Sequence, residues 1–288
     1  MPLLPVSDLE KWSPLFRGTL GNAFARFVRK TLSVETLSDL SDNVYGLKGA
    51  AYAEAMLEQL DQDFLIGYPE RLFNLPEGPF ITVSNHPYGG LDGVILLDLI
   101  GNIRPDLKVM VNEFLNVIEP LSSSWIPVNP KNNLQKEVTG KSIQGVKAVL
   151  THLTDGHPVG FFPSGAVSDL KLKDLSIKDR EWQEPVLRLI RKARVPIVPV
   201  RFFDHNSLWF YFLGLINWKI RLLQLPREII NKKHRRVRVG IGETITVEEQ
   251  RSHSEREDFN KWLRDKVYGM KIPDDFESYT SFKTRTRE

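Results

Sequence analysis

From Phe80 onward the chain alternates two incompatible periodicities. Short runs rich in β-branched and aromatic residues (Phe80 to Val83, Leu107 to Val111, Val159 to Phe162, Ile197 to Phe202 and Val237 to Ile241) are separated by stretches with helical spacing at Asp92 to Ile100, Gly140 to Leu153 and Trp182 to Ala193. Strand-sized apolar runs with helical connections predict an α/β fold, a mostly parallel sheet flanked by helices. Ahead of that region Val44 to Leu60 reads as a helix that packs Ala53, Met56, Leu57 and Leu60 on one face. Three parts are expected: an N-terminal helical segment over 1–62, a main domain over 63–275 and a loosely held tail over 276–288. At 288 residues the chain can bury a sizeable core.

Composition narrows the chemistry. Without cysteine there is no disulfide, no thiolate nucleophile and no sulfur ligand for zinc or iron. The uncharged run Asn206 to Trp218 falls short of the roughly 18 to 20 apolar residues that cross a bilayer, so no transmembrane helix is expected. Asp8 and Glu10 arrive before a signal-peptide core could form, which points to a cytoplasmic protein.

The formal charge of +3 hides an uneven distribution. Lys219 to Arg238 holds eight basic residues against one acid, Glu228, and Lys11 to Ser33 holds five against none. Both stretches suggest an anionic neighbour. In the first, Ser13-Pro14 can start a helix, and Phe16, Leu20, Phe24 and Phe27 then fall on one face, either packed on the core or meeting a membrane. Before the second lie Trp209, Phe210 and Trp218, whose aromatic rings beside Lys232, Lys233, Arg235 and Arg236 would suit a membrane interface, although a buried core segment has the same composition. Nucleic acid is not an expected partner, since no recognised binding motif accompanies the charge.

Chemistry concentrates in Asn85-His86-Pro87-Tyr88-Gly89-Gly90-Leu91-Asp92, directly after the run Ile81 to Ser84. A histidine at the carboxyl end of a buried strand sits where α/β sheets place ligands. Six positions along a continuous helix would rotate His86 and Asp92 about 240° apart, so the pair meets only if Gly89-Gly90 makes a turn first. The carboxylate could then fix one ring nitrogen and leave the other to take a proton from a hydroxyl. The bland alternative is a turn histidine followed by a helix-capping aspartate. No metal site is expected, because the other histidines lack ligand spacing, and there is no G-x-S-x-G, P-loop or G-x-G-x-x-G segment.

The same segment resembles block I of the lysophospholipid and glycerolipid acyltransferase superfamily, whose signature is a histidine followed by a nearby aspartate. Trp125-Ile126-Pro127-Val128 stands where block II would be. Phe161-Phe162-Pro163-Ser164-Gly165 resembles block III, and Val195 to Val200 the proline-bearing block IV. With Asp179, Trp182 and Asn206-Ser207, the N-H-P-x-G-G-L-D-G form is similar to a haemolysin-like branch that includes bacterial ornithine-lipid and glycine-lipid O-acyltransferases. The resemblance spans about Leu47 to Gly242.

It implies acyl transfer from a thioester, acyl-carrier protein or coenzyme A, to a lipid hydroxyl at the cytoplasmic face of the inner membrane, with no bound cofactor. His86 would be the base and Asp92 its partner. Asn85, Gly89, Gly90, Phe162, Pro163, Ser164 and Gly165 would line the substrate, and the acyl-carrier protein is one candidate partner. Phosphate-acceptor members place four residues between His and Asp, an acid in block III and an arginine in block II. Here five intervene, Ser164 replaces the acid, and 125–130 contains no arginine. An amino-acid-headed lyso-lipid is therefore expected over lysophosphatidic acid. A catalytically silent lipid-binding protein of the same fold is the rival.

Overall fold

The structure is a computed structural model. It describes residues 33–113, 118–128, 140–253 and 255–287, with 17–19, 21–23, 30 and 115. Of the expected N-terminal helix, 18–19 and 21–23 are helical, and its apolar face at Phe16, Leu20, Phe24 and Phe27 lies outside the described residues.

Eight strands form the main sheet, in spatial order β10, β1, β9, β8, β2, β5, β3, β4. These are β1 (Leu65–Gly67), β2 (Ile81–Ser84), β3 (Lys108–Asn112), β4 (Trp125–Val128), β5 (Val159–Phe161), β8 (Ile197–Phe202), β9 (Arg238–Ile241) and β10 (Glu277–Ser278). Strands β6 (Asp169–Lys171) and β7 (Ser176–Lys178) make a separate antiparallel hairpin. Within the main sheet β2 pairs in parallel with both β5 and β8, and only the β8–β9 and β1–β10 pairs are antiparallel. All four residues of β2 are buried, as a central strand covered on both faces must be. The fold is the mostly parallel α/β arrangement that the alternating runs predicted.

Helices cover both faces. On one side α2 (Gly49–Gln59) and α3 (Gly90–Gly101) place Tyr52, Met56, Leu57, Ile95 and Leu99 against Val109, Val198, Val200 and Val239. Helix α3 is apolar nearly all round because it lies between the sheet and α2, which explains why its sequence shows little amphipathic contrast. On the other side α4 (Gly140–Thr154), α5 (Glu184–Ala193) and α10 (Arg256–Tyr268) bury Val149, Leu187, Ile190 and Leu263 on Ile81, Val83, Val159 and Phe161. The helical reading of 44–60 is corrected at its start. Helix α1 (Val34–Asn43) ends before a turn at 44–46, where Gly46 takes φ +91°, and α2 begins only at Gly49.

The boundaries expected at 62 and 276 separate no independent cores. Tyr52, Met56 and Leu57 share one apolar cluster with the sheet, and so do Tyr279 and Phe282 of the tail. The tail is held: β10 pairs with β1, the Tyr279 ring stacks on Phe64 at 4.5 Å, and α11 (Tyr279–Arg287) docks on α2 and α3. Two rings three positions apart among Thr, Ser, Lys and Arg supply the anchoring face.

That docking encloses a buried carboxyl. Asp98 is 2% exposed, accepts from Asn102 Nδ2 at 2.6 Å and lies 3.7 Å from Lys283 Nζ, itself paired with Glu54 at 2.7 Å. Burial pushes Asp98 up from 3.8 to about 7, with Lys283 opposing the rise. The folded state thus binds a proton that the unfolded chain releases, so Asp98 should cost stability as pH rises from about 4 to about 7. Asp98→Asn should flatten that decline, by on the order of 2 kcal/mol at pH 8, in urea midpoints measured across the range.

Candidate active site

Strand β2 ends at Ser84, and the next residue extends its pairing by side chain. Asn85 Nδ2 donates to Phe202 O and its Oδ1 accepts from Phe202 N–H, both at 2.8 Å, which reproduces one rung of the ladder to β8. This corrects the substrate-lining role expected for Asn85, whose amide is buried and satisfied within the sheet.

The Gly89-Gly90 turn forms as the spacing required. Gly89 adopts φ +81°, which favours glycine, and a Cβ there would also crowd Leu225 at 3.0 Å and Val167 at 3.1 Å. Helix α3 then starts at Gly90 and brings Asp92 back onto His86, with Nδ1 to Oδ2 at 2.9 Å. The same Oδ2 accepts from Tyr88 N–H and Gly89 N–H, each at 2.9 Å. Asp92 is fully buried, and desolvation raises its pKa against the lowering effects of the imidazole and the two amides. The Nδ1 contact departs from ideal alignment, which is common for catalytic hydrogen bonds before substrate tightens them. His86 keeps 17% of its side-chain surface, none of it at Nδ1, and its ring lies 4.4 Å from Phe162.

Two buried networks hold this loop. On one side Asp179 Oδ1 accepts from His86 N–H at 3.1 Å and from Ser168 Oγ at 2.6 Å, while Oδ2 accepts from Trp182 Nε1 at 3.1 Å. Ser168 N–H in turn donates to His86 O at 2.9 Å, so both backbone groups of the histidine are tied. On the other side Tyr211 OH and Asn206 Nδ2 donate to Pro87 O, at 3.0 and 3.2 Å. Lys232 Nζ bridges Asn206 Oδ1 and Glu228 Oε2 at 3.2 and 3.1 Å and lies 5.4 Å from the Tyr88 ring centroid. The i,i+4 spacing of Glu228 and Lys232 was the available signal for that pair.

These contacts revise several expected roles. Lys232 is buried under the loop rather than facing a membrane, and its pKa is lowered by desolvation. Phe210 is likewise buried, packed on Tyr211 and Val167. Trp209, Trp218, Lys233, Arg235 and Arg236 are exposed. The basic run therefore presents less charge than its composition suggests, since Arg221 pairs with Asp169 at 2.6 Å and Arg238 with Asp204 at 2.5 Å. Gly89 N–H is committed to Asp92, so of the two glycines only Gly90, with nothing within 4 Å of a Cβ position, borders open space.

Block III forms a tight turn in which Gly165 N–H donates to Phe162 O at 2.9 Å. Gly165 has φ +61°, and a Cβ would lie 2.0 Å from Gln183 Nε2. Pro163 is tied through its carbonyl to Gln183 N–H at 2.8 Å. Ser164 Oγ donates to Ala166 O at 2.8 Å and the residue is 3% exposed, so its hydroxyl closes the turn. Among the described residues no three acidic or histidine side chains converge as metal ligands, and no helix is long and apolar enough to cross a membrane.

A lyso-glycine lipid O-acyltransferase of Phocaeicola vulgatus is 31% identical over 205 residues, 68% of this chain and 69% of that protein. A protein of the same name from Bacteroides thetaiotaomicron is 28% identical over 230 residues, 77% of this chain and 80% of its own. Among solved structures, the 1-acyl-sn-glycerophosphate acyltransferase of Thermotoga maritima superposes with a TM-score of 0.48 at 16% identity, covering 83% of this chain and 79% of that one. The sequence model of the family described as acyltransferase matches residues 9–276, and the chain belongs to that acyltransferase family.

Proposed function

We propose that the protein transfers a fatty acyl group from an acyl thioester to the hydroxyl of a lyso-aminolipid, with His86 as general base and Asp92 as its orienting partner. The observation that carries this reading is the 2.9 Å pair of His86 Nδ1 and Asp92 Oδ2 at the end of β2. With Nδ1 directed to the carboxylate, Nε2 is left to take the acceptor's proton as its oxygen attacks the thioester carbonyl. The tetrahedral intermediate collapses with cleavage of the C–S bond, and the imidazolium returns the proton to the departing thiolate. Asp92 stabilises the positive ring while that proton is held. The acyl group passes directly from thioester to hydroxyl, and without cysteine no enzyme thioester can form on the way.

The acceptor class follows from two neutral positions and from the relatives. Ser164 contributes a turn hydroxyl where phosphate-acceptor enzymes of the superfamily carry an acid, and residues 125–130 bring no guanidinium to grip a phosphomonoester. Both curated relatives are named for a lyso-glycine lipid, whose head group carries a carboxylate of its own. The donor is an acyl-carrier protein or coenzyme A thioester, and the enzyme works peripherally on a cytoplasmic membrane face.

His86→Ala should lower acyl transfer by about 10²- to 10⁴-fold with the fold retained, and Asp92→Asn should do nearly as much, in a thioester-consumption assay paired with circular dichroism. Near-full turnover by either folded variant would remove the pair from the mechanism.

On one preparation, kcat/KM should favour a lyso-glycine or lyso-ornithine lipid over lysophosphatidic acid by roughly tenfold or more. The reverse preference, read by mass spectrometry of products, would overturn the aminolipid assignment and leave the general base untouched.

A further inference from the structure

Residues 169–178, Asp-Leu-Lys-Leu-Lys-Asp-Leu-Ser-Ile-Lys, carry more apolar surface than their packing uses. In the β6–β7 hairpin Leu170 pairs with Ile177, and both turn inward against the cluster of Val167, Phe210 and Tyr211. The tip does the opposite. Leu172 is 65% exposed and Leu175 77%, and Leu175 sits at φ +50°, a left-handed turn position that glycine or asparagine occupies at lower cost. Neither burial nor turn propensity accounts for two leucines there. Lys171, Lys173 and Lys178 surround them, with Asp174 paired to Lys178 at 3.1 Å.

The hairpin is stitched to a second apolar surface. Helices α6 (Leu208–Ile216) and α7 (Trp218–Leu223) expose Leu208, Trp209, Phe212, Leu215, Ile216 and Trp218. Arg221 of α7 is itself buried, 5.2 Å from the Phe210 ring centroid, and donates to Asp169 Oδ1 at 2.6 Å, Ser168 O at 3.1 Å and Val167 O at 3.3 Å. Large apolar side chains bordered by lysines match an anionic lipid surface in both chemistry and charge.

The stem of the hairpin also holds the histidine. Ser168 and Asp179, one on each leg, bind the carbonyl and the N–H of His86. The four steps from Ser168 to Leu172 span roughly 13 Å where extended, so a tip buried about 5–10 Å deep leaves the stem near headgroup level.

We propose that the 169–178 hairpin inserts Leu172 and Leu175 into an anionic bilayer surface, and that its stem thereby fixes His86 at the level where a lyso-lipid presents its hydroxyl. The proposal rests on the reading of the acceptor as a membrane lipid.

Because the chain contains no cysteine, Leu172→Cys and Leu175→Cys each give a single attachment point for an environment-sensitive fluorophore. Ile103→Cys, exposed just past the far end of the helix that begins at the site, is the control. Vesicles of phosphatidylcholine with phosphatidylglycerol should shift the emission of the two tip labels to the blue and shield them from an aqueous quencher, and leave the label at 103 quenchable. The double variant Leu172→Asp/Leu175→Asp should lower vesicle partitioning about tenfold or more in sedimentation, and the single labels decide the question if that variant misfolds. Tip labels that stay quenchable while the protein pellets with vesicles, or a protein that does not pellet at all, would overturn the proposal. Acyl transfer to a detergent-dispersed lyso-lipid, measured separately, keeps the two readings apart. A shielded tip without transfer counts against the acyltransfer reading alone, and transfer with a quenchable tip counts against the hairpin alone.

Discussion

The site depends on one buried carboxylate. Asp92 has no solvent contact, and an ionised group in that position is tolerated only where donors replace water. Two backbone amides and the His86 ring nitrogen converge on a single oxygen, which explains why the loop must turn at Gly89 and why α3 must begin where it does. The interaction is reciprocal. The carboxylate shapes the loop through Tyr88 and Gly89, and the loop delivers the imidazole that offsets part of the desolvation raising the carboxyl's pKa.

Around that pair the protein spends further buried polar groups on position. Asp179 takes three donors from three segments, His86, Ser168 and Trp182, and so joins the strand end, the hairpin and the approach to α5. Opposite it, Lys232 and Glu228 form a buried ion pair whose remaining hydrogen bonds reach Asn206 and Ser207. Buried pairs of this kind add little net stability over apolar packing, because desolvation offsets most of their attraction. What they do well is select one arrangement of the chain, since losing either partner leaves a charge without compensation. A histidine fixed at both backbone groups and at one ring nitrogen has few ways to be misplaced.

The surface beside the site is organised by the same contacts. Arg221 pins α7 to the hairpin, and the hairpin's legs end on His86, so apolar side chains outside and the imidazole inside belong to one rigid set. The proposed insertion of the hairpin would use such a fixed distance between lipid layer and imidazole. The clasp of α11 on α2 and α3 lies at the opposite end of α3 and leaves this face open.

Much of this was legible in the chain. Strand and helix runs show as periodicity because a buried β-strand and a packed helix demand different spacings of apolar residues, and β8 follows its sequence run residue for residue from Ile197 to Phe202. His86, the two glycines and Asp92 are contiguous, so their turn and pairing follow from local geometry. Long-range partners are a different matter. That Asn85 completes a rung with Phe202, that Asp179 reaches back 93 positions to His86, and that Lys232 and Phe210 point inward while Lys233 and Trp209 point out depends on which segments lie side by side. The same holds for the tail, where Tyr279 and Phe282 find a core only once β10 has paired with β1. The sequence by itself determined the strand and helix runs that show as periodicity between Phe80 and Ile241 and the glycine turn that brings His86 to Asp92, because those are set by neighbours along the chain. Only the tertiary structure decided which charges are buried and which apolar side chains remain outside, because burial is a property of contacts between distant segments.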